Sequence, residues 1–219
     1  MANFFLRSTD GADTDNGSTW ALADATISKA NPNGGSLPNM AAGDTLYVSD
    51  NHAESTAAAI TLTSPGTAAS PVRILCVDDT GDPASPTTLA TTATVTTTGT
   101  SNVTIGGHAY VYGITIKCGT GAGAPVMFFG GTASSWLKFE SCAFQILATG
   151  SAGGFAVGSA TTNLSMHVEW INCTLQVSAA GQLVNMRSSL EWRDTASAIT
   201  GATLPTTLFS VSTTTAGSV

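Results

Sequence analysis

Leu137-Lys-Phe-Glu-Ser-Cys-Ala-Phe-Gln-Ile146, Val168-Glu-Trp-Ile-Asn-Cys-Thr-Leu-Gln-Val177 and Leu190-Glu-Trp-Arg-Asp-Thr-Ala-Ser-Ala-Ile199 are three versions of one ten-residue block, and Ala109-Tyr-Val-Tyr-Gly-Ile-Thr-Ile-Lys-Cys118 is a fainter fourth. Around the fifth residue of each block (Gly113, Ser141, Asn172, Asp194), apolar or small side chains recur two and four places before and one, three and five places after. Period two on both sides means strands, and the one-residue jump in phase means that two strands meet at a sharp corner. Gly, Ser, Asn and Asp suit such a corner because they tolerate or locally hydrogen-bond a left-handed backbone.

The pivots are spaced 28, 31 and 22 residues apart, as coils of about three short strands would be. Third strands are expected at Val126-Met-Phe-Phe-Gly130, Phe155-Ala-Val-Gly-Ser159, Leu183-Val-Asn-Met-Arg187 and Leu208-Phe-Ser-Val-Ser212. The predicted fold is therefore all-β, a parallel β-helix with three strands per coil. An antiparallel sandwich or barrel competes for any strand-rich, Gly/Thr-rich chain, but it predicts no repeated corner.

Outward from the blocks, residues 3–7 read as a short strand and Ser8 to Gly17 as a turn-rich loop. That loop is oxygen-rich but lacks the residue order of an EF-hand. Ser18 to Ala30 reads as a helix with Ser18 or Thr19 as its cap and Trp20, Ala23, Ile27 and Ala30 on one apolar face. Strands are expected at Ala42-Gly-Asp-Thr-Leu-Tyr-Val48, Ile60-Thr-Leu62 and Pro71-Val-Arg-Ile-Leu-Cys-Val77, and another pair at Ala93/Val95 and Asn102-Val-Thr-Ile105. Asp78 to Pro83 reads as a solvated turn. The expected organisation is 1–36 (strand, loop and capping helix), 37–211 (β-helix) and 212–219 (C-terminal tail).

The order of an Asp/Gly-rich loop, a Trp-led helix, Gly43-Asp-Thr-Leu-Tyr-Val48, Gly66-Thr67 and Pro71-Val-Arg-Ile74 resembles the opening of pectate-lyase-like right-handed parallel β-helix proteins, of a kind frequent in bacteriophage virions and on bacterial surfaces. The resemblance implies right-handed coils and an N-terminal helix lying over the first coil. It implies little about activity, because the fold hosts lyases, hydrolases, adhesins and inert capsid parts.

Only 10% of the 219 residues are charged, and the formal net charge of −7 argues against nucleic acid and anionic membranes as partners. No stretch is long and apolar enough for a membrane span, and Met1-Ala-Asn-Phe-Phe-Leu-Arg7 has too short an apolar run for a signal peptide, so synthesis in a bacterial cytoplasm is expected. Cys76, Cys118, Cys142 and Cys173 have no zinc spacing; Cys142 and Cys173 share a block position and are expected to stack as buried thiols.

An enzyme of this fold would need clustered outward carboxylates. The block register puts Lys138, Glu169 and Glu191 in one outward column and Tyr112, Glu140, Ile171 and Arg193 in the next, with Glu169 and Glu191 about 5 Å apart, the separation of a glycosidase pair. The plainer reading of the same residues is an exposed ladder balanced by Lys138 and Arg193. Trp136 and a few Tyr are the aromatics left outside, Trp170 and Trp192 falling in inward slots. His52, His108 and His167 lie on separate coils without a second His or Cys at ligand spacing, and no phosphate loop or nucleophile elbow occurs. No catalytic, cofactor or metal residues are therefore assigned. The expectation is a non-enzymatic phage virion protein: a capsid decoration or cement protein, homotrimeric and bound to capsid or tail proteins. The alternative is a tail-fibre or tailspike component acting on a host glycan. Trp170→Ala is expected to cost far more stability than Glu169→Ala.

Overall fold

A computed structural model describes residues 1–27, 40–130, 135–158, 166–193, 199–201, 204–205 and 207–211. Its strands fall into three sheets, and after β1 each coil of the chain gives one strand to each. The first sheet contains β1 (Asn3–Leu6), β2 (Thr45–Ser49), β5 (Val72–Val77), β8 (Ala109–Tyr112), β11 (Trp136–Glu140), β14 (His167–Ile171) and β17 (Ser189–Arg193), in that spatial order. The second stacks β3 (Ala53–Thr56), β6 (Thr94–Thr97), β9 (Thr115–Cys118), β12 (Ala143–Ile146), β15 (Thr174–Gln176) and β18 (Ile199–Thr200). The third stacks β4 (Ile60–Ser64), β7 (Val103–Gly107), β10 (Val126–Phe129), β13 (Gly154–Val157), β16 (Leu183–Met186) and β19 (Phe209–Val211). Every pairing between these strands is parallel, the arrangement of a parallel β-helix.

The corner between the first and second sheets is where the block predicts it. Gly113, Ser141 and Asn172 have φ of 74°, 54° and 51°. Each corner N–H still reaches the next coil, Gly113 to Glu140 O (3.0 Å), Ser141 to Ile171 O (2.9 Å) and Asn172 to Arg193 O (3.0 Å), so the bend costs no ladder bond. The fourth pivot, Asp194, lies outside the described residues. At Gly113 a Cβ would stand 2.1 Å from Ala90 O, an immovable backbone atom. Gly113→Ala should therefore cost about 2–3 kcal/mol, from left-handed strain plus the clash. Ser141→Gly should stay within about 0.5 kcal/mol, because relief of the same strain offsets the extra freedom of the unfolded chain. Urea melts of the two variants check the contrast.

The interior changes character along the axis. In the earlier coils it is aliphatic, and Ile27, Ile60, Leu62, Ile74, Val111 and Ile116 line a cavity of about 20 Å³. Further on it becomes aromatic: the rings of Phe129, Phe139, Phe144 and Trp170 stand 5.1–5.4 Å apart, mostly edge to face. Trp192 follows Trp170 at 5.8 Å, and Phe209 follows Trp192 at 6.1 Å. The expected inward column Phe139, Trp170, Trp192 is the observed register. All four cysteines are free and buried; burial, then the adjoining Cys173 thiol, pushes the Cys142 thiol well up.

Two expectations for the N-terminal region are corrected. Instead of a helix from Ser18, the described residues hold one 3₁₀ turn, Trp20–Leu22; Ala30 lies outside them. Trp20, Ala23 and Ile27 are buried as expected, but the backbone beside them is committed to distant partners. Asp24 N–H donates to Phe5 O (3.1 Å), Arg7 N–H to Asp24 O (2.9 Å), Thr26 N–H to Asp13 Oδ1 (3.0 Å) and Ile27 N–H to Glu54 Oε2 (2.6 Å). Thr19 makes no side-chain cap. Apolar spacing alone does not make a helix when its amides are taken elsewhere.

The turn at Asp78 to Pro83 is likewise not simply solvated. Arg7 pairs with Asp79 (3.1 Å) and Asp82 (2.8 Å) from below the loop, and Trp20 Nε1–H donates to Pro83 O (3.0 Å). The loop is thus clamped over the N-terminal segment.

Candidate functional site

The outer face of the first sheet carries a cluster of polar side chains from several coils. Parallel pairing sets Trp136, His167 and Ser189 in one row across the coils, Tyr110, Lys138, Glu169 and Glu191 in the next, and Tyr112, Glu140, Ile171 and Arg193 in a third. Both outward columns read from the block are therefore observed, with Tyr110 added to the first. The side chains do not form an open ladder, however.

Glu169 is the centre of the cluster and its side chain is only 14% exposed. Trp136 Nε1–H donates to its Oε1 (3.0 Å), and Arg193 Nη2–H donates to its Oε2 (3.2 Å). His167 Nε2 lies 3.3 Å from Glu169 Oε1 and 3.8 Å from Glu191 Oε2. Arg193 Nε pairs with Glu191 Oε1 at 2.9 Å. His167 Nδ1 is 3.0 Å from Ser189 Oγ. On the neighbouring coils Tyr110 O–H donates to Glu140 Oε2 (3.0 Å), and Lys138 Nζ sits 5.6 Å over the Tyr110 ring.

Burial alone would raise the Glu169 carboxyl, but the Trp136 N–H and the nearby His167, Lys138 and Arg193 outweigh it and hold the group below its ordinary range. A carboxylate so held is a ligand or an acceptor; a general acid needs the opposite shift. The Tyr110 phenol is pushed up, first by burial and then by its bond to Glu140.

His167 and the grip of Trp136 on Glu169 are the members that sequence reasoning missed. A search for histidines paired along the chain cannot see a partner one coil away. The usable signal was the block register itself, which puts position 167 two residues before Glu169 on the same face. The other histidines join no such cluster among the described residues: His52 is buried beside Glu54 (3.5 Å), and His108 precedes β8.

Comparison with protein-family profiles, with curated proteins and with solved structures returned no match for this chain. The class defined here rests on the coil geometry: an all-β protein of three parallel sheets with an ion-paired outer face.

Proposed function

We propose that the protein is a non-enzymatic structural component of a bacteriophage virion, a capsid decoration or cement protein, coiled right-handedly and standing as a homotrimer on the capsid by its C-terminal end. One observation carries this reading, the unlikeness of the two ends. At the first coils β1, β3 and β4 also pair on one side only, but the N-terminal segment covers them: Trp20 packs on Phe5, Ala53 N–H donates to Ser8 Oγ and Ile27 N–H to Glu54 Oε2. At the other end, among the described residues, β17, β18 and β19 each pair on one side only. There, among the described residues, Ile199, Leu204, Phe209 and Val211 are exposed, Val211 at 71%. Unpaired strand edges with apolar side chains invite association, and solenoids ordinarily cover them. A surface with few charges suits a permanent contact better than free diffusion among anionic partners.

The test is mass and binding together. Sedimentation at micromolar concentration should give three chains per particle, with saturable binding to capsids stripped of the protein. Phe209→Asp combined with Val211→Asp should reduce the particle to one chain and abolish capsid binding. Single chains in both versions, with unchanged capsid binding, would exclude the docking end.

A tail-fibre or tailspike component acting on a host polysaccharide is the second reading, favoured by the Glu169, Glu191 and His167 group lying beside Trp136, with Tyr110 on the same outer face. Depolymerisation of a host surface glycan, lost in Glu169→Gln, would replace the structural reading with this one.

A further inference from the structure

Three ligand-type atoms from two adjacent coils converge on the outer face of the first sheet. His167, Glu169 and Glu191 each bring one ligand atom within 4.8 Å of the others, and His167 Nε2 lies 3.3 Å from Glu169 Oε1 and 3.8 Å from Glu191 Oε2. The set is mixed rather than merely acidic, since an imidazole nitrogen faces one oxygen of each carboxylate. The other two oxygens are taken by Arg193, which holds Oε2 of Glu169 and Oε1 of Glu191, while Glu169 Oε1 accepts one bond from Trp136 and keeps its second lone pair. Arg193 thus works as a spacer that turns the remaining oxygens toward His167, and the Trp136 N–H fixes Glu169 from the side.

The imidazole is oriented as well. When Nδ1 donates its proton to Ser189 Oγ, 3.0 Å away, Nε2 presents a lone pair. Three acceptors then face one another, an arrangement that asks for a cation between them. A cation bonded at about 2.0–2.2 Å to each ligand separates neighbouring ligands by about 3.0–3.6 Å, depending on geometry. The distances from Nε2 to the two oxygens, 3.3 and 3.8 Å, meet that spacing after a shift of a few tenths of an ångström. Ligand chemistry selects the ion. Ca²⁺ and Mg²⁺ want oxygen-only shells, whereas one imidazole with two carboxylates suits a borderline first-row ion.

We infer that His167, Glu169 and Glu191 form a binding site for a divalent first-row cation, Zn²⁺ foremost, with Ser189 and Trp136 as the groups that orient the ligands. The set is open to solvent on its Glu191 side, Glu191 being exposed and His167 and Glu169 half-buried. The site joins coils β14 and β17, so a bound ion ties the last coil of the first sheet to the one before it. This inference is independent of the virion reading.

The test is titration of the tag-free full chain with ZnCl₂ in a non-coordinating buffer, followed by isothermal calorimetry. One Zn²⁺ per chain is expected. His167→Ala should weaken binding by about 100-fold or more, and Glu191→Gln by about tenfold, since each removes one of three protein ligands. Co²⁺ substitution should give visible d–d bands without a thiolate charge-transfer band, which separates this site from the buried cysteines. Circular dichroism melts establish that the variants are folded; if His167→Ala is not, Glu191→Gln carries the test. No uptake at millimolar Zn²⁺, uptake unchanged by both substitutions, or a thiolate band with Co²⁺ would each overturn the assignment.

Discussion

Trp170→Ala should lower folding stability by about 3–5 kcal/mol, as large-to-small changes at fully buried aromatics do. Trp170 is completely buried, and its ring meets those of Phe129, Phe144, Phe155 and Trp192. Truncation therefore opens a void at the junction of all three sheets, where parallel ladders fix the backbone and leave little room for collapse. The indole N–H has no hydrogen-bond partner, so Trp170→Phe removes an unpaired polar group as well as volume and should recover the loss to within about 1–2 kcal/mol of the native protein. Glu191→Ala, one coil along and on the outer face with a side chain 46% exposed, should cost no more than about 0.5 kcal/mol. Guanidinium melts of the three variants give the order directly, and equal losses in Trp170→Ala and Glu191→Ala would mean that the inward and outward columns are misassigned.

Arg7→Ala should be nearly as damaging, at about 3 kcal/mol, because it strips the cation from a set of carboxylates held close together. The guanidinium is 12% exposed, lies 2.6 Å from Asp10, 3.1 Å from Asp79 and 2.8 Å from Asp82, and covers the Trp20 ring at 5.3 Å. Burial opposes its charge, but Asp82, Asp79 and Asp10 more than offset that. Across the loop the Asp50 carboxyl is already raised, by burial first and then by Asp79 and Asp78. Without Arg7 the Asp10, Asp79 and Asp82 carboxylates lose the guanidinium paired with them and face one another unneutralised beside Asp50. A carboxyl whose folded pKa lies above its unfolded value weakens the fold at pH values above the folded pKa, and the penalty disappears as pH falls toward the ordinary Asp value of about 3.9. The deficit of Arg7→Ala relative to the native protein should therefore be greatest near neutrality and narrow on acidification. A deficit that is flat from neutral pH down to about 4 would show that lost packing, not charge, sets the cost.

The second half of the chain was the legible half, because the same ten-residue block is stacked on itself there. Each inward residue of one coil then predicts the next, and the columns through Phe139, Trp170 and Trp192 and through Glu140, Ile171 and Arg193 follow. The first coils obey the same geometry with less regular means. The corner after β2 is spelled Asp50-Asn51-His52, and residues 78–93 loop out before β6. Strand β3 escaped notice because its inward slot holds Glu54 where an apolar residue is expected; the Ile27 N–H satisfies one carboxylate oxygen there. The capping helix failed for the related reason that its amides bond across the stack. The outer site was half legible. Its two glutamates followed from register, while His167 and Trp136 acquire their meaning only when side-chain reach across coils is known.

The parallel ladder also gives the molecule a mechanical polarity. Its inter-strand hydrogen bonds run along the solenoid axis, so a pull on the coil of β17, β18 and β19 loads them, among the described residues, against β14, β15 and β16 alone, one bond row at a time. A pull on the opposite end meets a different construction. There Phe5 N–H bonds Gly17 O, Arg7 N–H bonds Asp24 O and Asp24 N–H bonds Phe5 O, so the cap and β1 must slide past one another with several bonds stretched at once. Among the described residues β1 is therefore held by its pairing with β2 and by the Phe5, Arg7 and Asp24 bonds together, whereas β17 is held by its pairing with β14.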